Sequence, residues 1–145
     1  MLGTNDPLSS CQPYLELIGM AHAWEDIRRV RETRPLRGVV VAVIDAGIDI
    51  TLPDLVNHLW RNPRDAYSAY NYNSNDLTDA IGHGTMRAGV TAAETNNGIG
   101  IASVAGAVGV KVMVLKAFDV DLGASLFDIL RALNFAVANG AEVSP

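Results

Sequence analysis

Val39-Val40-Val41-Ala42-Val43-Ile44 is the stretch that most restricts how this chain folds. Five of its six residues are β-branched and no polar residue interrupts them. Such a run reads as a strand buried on both faces, and strands of that kind belong to parallel sheets covered by helices on either side. The run ends in Asp45-Ala46-Gly47-Ile48-Asp49. Asp45 therefore falls at the carboxyl end of a strand, where open α/β sheets build their sites.

The rest of the chain supplies matching elements. Lys111-Val112-Met113-Val114-Leu115-Lys116 reads as a second buried strand. Ser125-Leu126-Phe127-Asp128 fits a capping box. Leu126, Ile129, Leu130, Leu133, Ala136 and Val137 then recur at helical spacing, which predicts a helix with one apolar face that stops at Asn139-Gly140. Ala141-Glu142-Val143 begins a further strand. Upstream, residues 15–30 predict one or two short helices, and residues 49–80 predict long loops with one short strand near 69–72. Residues 85–93, rich in small side chains, predict a helix packed closely on its neighbours, ended by the turn residues Asn96-Asn97-Gly98. Alternating strands and helices give an α/β fold with a mainly parallel sheet. At 145 residues this is a single domain, large enough to bury about two-thirds of its unfolded surface.

Charge and composition exclude several classes of function. A net charge of −5 without any basic run argues against nucleic acid or an acidic membrane surface as the main partner. The cluster Arg28, Arg29, Arg31 and Arg34 reads as a solvated helix end, where cations are favoured. No run of about eighteen apolar residues is present, so no segment is predicted to span a membrane. The single cysteine, Cys11, has no partner for an internal disulfide and reads as a small, partly buried hydrophobe.

One stretch carries chemistry: Ile81-Gly82-His83-Gly84-Thr85-Met86-Arg87-Ala88-Gly89 sets a histidine between two glycines at a predicted helix start. The glycines allow close approach to the imidazole, and an imidazole oriented through one ring nitrogen transfers protons at the other near neutral pH. Asp45 is the candidate orienting group. His22 and His58 lack such surroundings and are expected at the surface.

With these residues the chain resembles the subtilisin-like serine proteases, close to the thermitase branch. Asn5-Asp6-Pro7, Ala23-Trp24-Glu25, Val41 to Asp45, Pro53-Asp54-Leu55, His83-Gly84-Thr85, Asn96 to Ala102, Val112 to Asp119 and Ala132 to Val143 match in order and spacing. The resemblance implies a three-layer fold and an Asp-His-Ser triad whose first two members are Asp45 and His83. It implies a calcium ion held by Asp6, Asp54 and Asn97 with the carbonyls of Thr95, Ile99 and Ile101. It also implies a peptide or protein substrate added as a strand along Asp121, Leu122 and Gly123, and an extracellular protein, although residues 1–6 lack the pattern of a secretion signal. None of the seven serines, Ser9, Ser10, Ser68, Ser74, Ser103, Ser125 and Ser144, lies in the Gly-Thr-Ser-Met-Ala block that would carry the nucleophile.

These 145 residues are therefore expected to be the amino-terminal part of a serine endopeptidase domain, inactive alone. Uncovered apolar surface is expected on Val112, Val114 and residues 126–137, to be buried by a carboxyl-terminal half or by self-association at the exposed edge. Two departures from the family pattern bear on catalysis. Ala46 replaces a hydroxyl residue, and Met86-Arg87 replaces His-Val, putting a guanidinium one helical turn from His83. The alternatives are a pseudoprotease that binds a peptide or partner without cleaving it, and a nucleotide-binding domain with Gly98-Ile99-Gly100 as phosphate loop, whose glycine spacing fits poorly.

Overall fold

The computed structural model describes residues 2–62, 69–71 and 76–144. Two helices, α1 (Pro13–Leu17) and α2 (Met20–Thr33), precede the strand β1 (Val40–Asp45). After it come β2 (Ala69–Asn71), α3 (His83–Ala92), β3 (Lys111–Lys116) and α4 (Leu126–Ala138). The strands form one parallel sheet in the order β1-β3-β2, with Val41 opposite Val112 and Asp45 opposite Lys116. On the free edge of β1, Val143 bridges Val41, and the Ala42 N–H donates to the Val143 carbonyl at 2.8 Å. Residues 141–143 thus begin the parallel pairing that their sequence predicts. Tyr72, the end of the predicted short strand, lies outside the described residues.

Both faces of the sheet are buried, because side chains alternate across it and each side meets a helix. Val41, Val43, Val112 and Val114 pack with Ala88 and Ala92 of α3. Ala42, Met113 and Leu115 pack with Ala132 and Ala136 of α4, and Trp60 meets Phe135 edge-to-face with ring centroids 6.5 Å apart. The result is three layers, helix on sheet on helix. At the amino-terminal side, Leu15, Met20, Trp24 and Ala102 form a third cluster. Buried Gln12 fastens it, donating to the Ala102 carbonyl at 2.8 Å and accepting its N–H at 2.9 Å.

Three expectations need correction, and the one of uncovered apolar surface on residues 126–137 is met. Val112 and Val114 are not uncovered: β3 is the central strand, paired on both sides, and its valines face α3. The inward stripe of α4 is Ala132 and Ala136, flanked by half-buried Ile129 and Phe135, since small residues let the helix approach the sheet closely. Of the predicted apolar face Ala136 is thus buried and Ile129 half-buried, while Leu126, Leu130, Leu133 and Val137 are exposed, Val137 by 76%, as the expected uncovered surface. Cys11 is exposed, at the end of a single helical turn. His58 is buried instead of lying on the surface, because the turn after Leu55 folds it inward below β3, where Leu59 bridges Val112.

Among the described residues the His58 Nδ1 has no hydrogen-bond partner. Burial lowers the His58 imidazole below its ordinary value of 6.5, outweighing the opposing pull of nearby Glu94. The folded chain thus holds this ring neutral at pH values where the unfolded chain protonates it, and below 6.5 stability falls with pH. Urea midpoints at pH 7.5 and pH 5 are expected to show this loss, and His58→Gln to reduce it. An identical loss in the variant would contradict the assignment.

Candidate active site

The site begins with a backbone approach. β1 ends at Asp45, and Gly47 follows at φ +115°, a conformation that suits glycine, turning the chain so that the Ile48 N–H reaches the Leu77 carbonyl at 2.9 Å. α3 then runs past the strand end so closely that a Cβ on Gly84 would lie 2.0 Å from the Gly47 carbonyl oxygen and 3.1 Å from Asp45 Oδ1. Only glycine fits there, which is a physical reason for the His-Gly-Thr order.

Asp79 fixes the start of that helix. Its carboxylate accepts the Gly82 N–H at 3.0 Å, the Thr85 N–H at 2.8 Å and the Thr85 hydroxyl at 2.7 Å, taking amino-terminal donors that the helix leaves unpaired. Burial alone would raise the Asp79 carboxyl, but its hydrogen bonds from Thr85, Gly82 and Ile81 prevail and hold it below the ordinary range. The Thr85 hydroxyl also accepts the Asp49 N–H at 2.9 Å, joining α3 to the loop after β1. Asp79 is absent from the sequence-based candidates. Its signal is an acidic residue three before a glycine that precedes a helix, a capping position displaced by one turn.

These contacts place His83 Nδ1 2.7 Å from Asp45 Oδ1 and 3.0 Å from Oδ2. Asp45 is buried, with a side-chain exposure of 4%, and Oδ1 also accepts the Ala46 N–H at 2.7 Å. An ionised carboxylate only accepts, so His83 donates from Nδ1, and its Nε2 is left with the lone pair. The His83 ring is 36% exposed. Arg87, on the same helix face, brings Nε to 3.7 Å from Asp45 Oδ2 while its side chain remains 56% exposed. It shares the Asp45 charge from a distance at which water screens the pair. A cavity of about 160 Å³ adjoins these three residues, walled by Ile44, Phe118 and Leu122.

The segment expected to receive substrate is a turn in this structure, not an extended edge. The Asp119 carbonyl accepts the Leu122 N–H at 3.0 Å, Leu122 has φ +59°, and the Asp121 carboxylate accepts the Gly123 N–H at 2.9 Å. Leu122 nonetheless lies against the His83 cavity.

Asp6, Asp54 and Asn97 do come together. Asp6, buried, accepts the Asn96 N–H at 2.8 Å and the Asn97 N–H at 3.1 Å. Asp54 accepts the Asn97 side-chain amide at 2.9 Å and the Ile101 N–H at 3.1 Å. Thr95, Ile99 and Ile101 belong to the loop that these carboxylates grip. The nucleotide-binding alternative loses donors in the same loop, since the Gly98 N–H goes to Asn5 Oδ1 at 2.8 Å and the Ile99 N–H to Asn97 Oδ1 at 3.0 Å.

Known proteins resemble this arrangement. Residues 36–144 match the Subtilase family of peptidases. A thermophilic serine proteinase of Bacillus sp. (strain AK1) is 37% identical over 113 residues, covering 77% of this chain and 26% of that protein. Thermitase of Thermoactinomyces vulgaris is 28% identical over 142 residues, covering 96% of this chain and 45% of its own. The crystal structure of a lanthipeptide protease superposes with a TM-score of 0.57 at 27% identity, covering 83% of this chain and 32% of that one. The chain thus spans about a quarter of the first relative and under half of the second.

Asp79→Ala is expected to lower stability by about 0.5–2 kcal/mol, the usual range for a lost helix cap. Gly84→Ala is expected to cost about 1–3 kcal/mol by overpacking the strand end. Urea denaturation checks both, and an unchanged midpoint for either would contradict its role. The Asp79 contribution should persist at pH values above the ordinary carboxyl value of 3.8 and fade as pH falls through the lowered folded value.

Proposed function

The chain belongs to the Subtilase family, and on that premise we propose that it forms the acid–base half of a serine endopeptidase site acting on peptide or protein substrates outside the cytoplasm. The observation that carries this reading is the 2.7 Å bond between buried Asp45 and His83 Nδ1. It leaves the lone pair on Nε2 of a histidine that lines the cavity. The nucleophile would be a serine from a part of the protein other than the described residues, none of whose serines hydrogen-bonds His83. As its Oγ bonds to the scissile carbonyl carbon, its proton passes to His83 Nε2, and Asp45 stabilises the imidazolium that forms. The imidazolium then returns the proton to the departing amine, leaving an acyl-serine for water to hydrolyse by the same relay.

A second reading, a peptide-binding domain without turnover, has one observation in its favour. Arg87 adds a positive charge 3.7 Å from Asp45, and that charge opposes the imidazolium on which proton transfer depends.

Calcium is the proposed structural ion. Asp6 and Asp54 converge on one loop with no lysine or arginine within ion-pair distance of either among the described residues. Carboxylate, amide and carbonyl oxygens are the donors that a hard divalent cation takes. Asp6, Asp54 and Asn97 would be its side-chain ligands and Thr95, Ile99 and Ile101 its carbonyl ligands, with the N–H groups that these side-chain oxygens now accept giving way to the ion. When bound, it would neutralise the two carboxylates and fasten the amino-terminal segment to the loop.

Residues 1–145 alone are expected to show no casein turnover and no fluorophosphonate labelling. Expressed together with the serine-bearing part of a subtilase domain, they should give proteolysis that falls by about 10²–10⁴-fold in His83→Ala, the usual contribution of a general base. Labelling of a serine within this chain, or turnover indifferent to His83, would overturn the reading; a folded assembly without turnover would favour the second reading. Calcium should raise the melting temperature of the chain relative to chelator, by preferential binding to the folded form, and Asp54→Ala should lose that shift. Equal shifts in both proteins would remove the proposed ion site.

A further inference from the structure

We propose that Arg87 makes this site select an acidic side chain in the peptide segment lying against His83. The inference rests on the peptidase reading and adds to it a substrate class. The cavity of about 160 Å³ beside His83 has apolar walls from Ile44, Phe118 and Leu122 and is otherwise bounded by Asp45, His83 and Arg87. Its polar residues are unequally available. Asp45 is nearly enclosed and both its oxygens are engaged by His83, so it offers little to an incoming group. Arg87 is 56% exposed and approaches Asp45 only through Nε at 3.7 Å, with no hydrogen bond from the guanidinium to any described residue. Among the polar residues of the wall, Arg87 is therefore the one with donors left to offer a ligand.

A guanidinium fork matches a carboxylate with two parallel hydrogen bonds, a geometry that no neutral side chain reproduces. Glutamate fits both parts of the cavity, its methylenes against Ile44, Phe118 and Leu122 and its carboxylate on the fork. A lysine or arginine there meets a like charge at close range and is rejected. Turning the fork outward sacrifices little, because the present ion pair is long and solvent-screened. It also withdraws positive charge from Asp45, leaving that carboxylate to His83.

The test uses the chain as it is. Alanine–glycine hexapeptides, each with one glutamate, glutamine or lysine at one of the six positions, are titrated while the His83 ring and Arg87 Nε–H signals are followed by NMR. At one position glutamate is expected to bind about threefold or more tighter than glutamine, with lysine weakest. The gap should narrow at high salt, vanish in Arg87→Gln and persist in part in Arg87→Lys, which keeps the charge without the fork. Equal binding of the glutamate and glutamine peptides, or a preference that survives Arg87→Gln, overturns the role of Arg87 and leaves the peptidase reading standing. Absence of any shift at His83 with every peptide also overturns it, and counts against a peptide cleft itself, which the turnover assay examines separately.

Discussion

A methyl group on Gly84 would lie 2.0 Å from the Gly47 carbonyl oxygen, and the site depends on that methyl being absent. Without it the first turn of α3 lies directly against the end of β1, and His83 reaches the Asp45 carboxylate without any further turn of chain. The sheet sets one side of this contact. Asp45 is held by ladder bonds to β3, and its carbonyl accepts the Ala117 N–H at 3.0 Å. The other side is set by packing, as Ala88 and Ala92 bring α3 down on Val41, Val43 and Val114. Proton chemistry at His83 is in this sense a product of small residues on one helix face.

Carboxylates do much of the remaining organisation by collecting backbone N–H groups, Asp79 from the turn that follows it and Asp6 and Asp54 from a segment far from them in sequence. Asp79 secures the start of α3, while Asp6 and Asp54 wrap residues 96–101 around themselves. Charged acceptors make stronger hydrogen bonds than neutral ones, so few residues suffice to hold long irregular stretches. The loop of residues 96–101 is consequently an anion-binding nest whose anions belong to the protein.

The strands and the α/β class were legible in the sequence because they rest on local patterns, a β-branched run and a capping box at Ser125. The Asp45–His83 pairing, 38 residues apart, was legible from a strand end and a glycine-flanked histidine only together with the family resemblance. What escaped depends on contacts remote in sequence. The periodicity of α4 defines one apolar face from Leu126 to Val137, yet of its residues the sheet buries Ala136, together with Ala132 outside that face, because small side chains allow closer approach, and Leu126, Leu130, Leu133 and Val137 stay exposed. The burial of His58 and the centrality of β3 follow from how the loop after Leu55 and β2 fold back on the sheet, which no local pattern records. The capping role of Asp79 was missed because its partners lie up to six residues away, beyond the usual capping window.

The central claim is that Asp45 fixes His83 in the Nδ1–H form, with Nε2 bare. Nitrogen-15 correlation spectra of the histidine-labelled chain in mildly alkaline solution test it most directly, since the two tautomers give distinct ring patterns. The account predicts that His83 carries its proton on Nδ1, with a strongly downfield proton signal that Asp45→Ala removes while the fold persists. A His83 ring protonated on Nε2, or an Nδ1–H signal unchanged in Asp45→Ala, would contradict it.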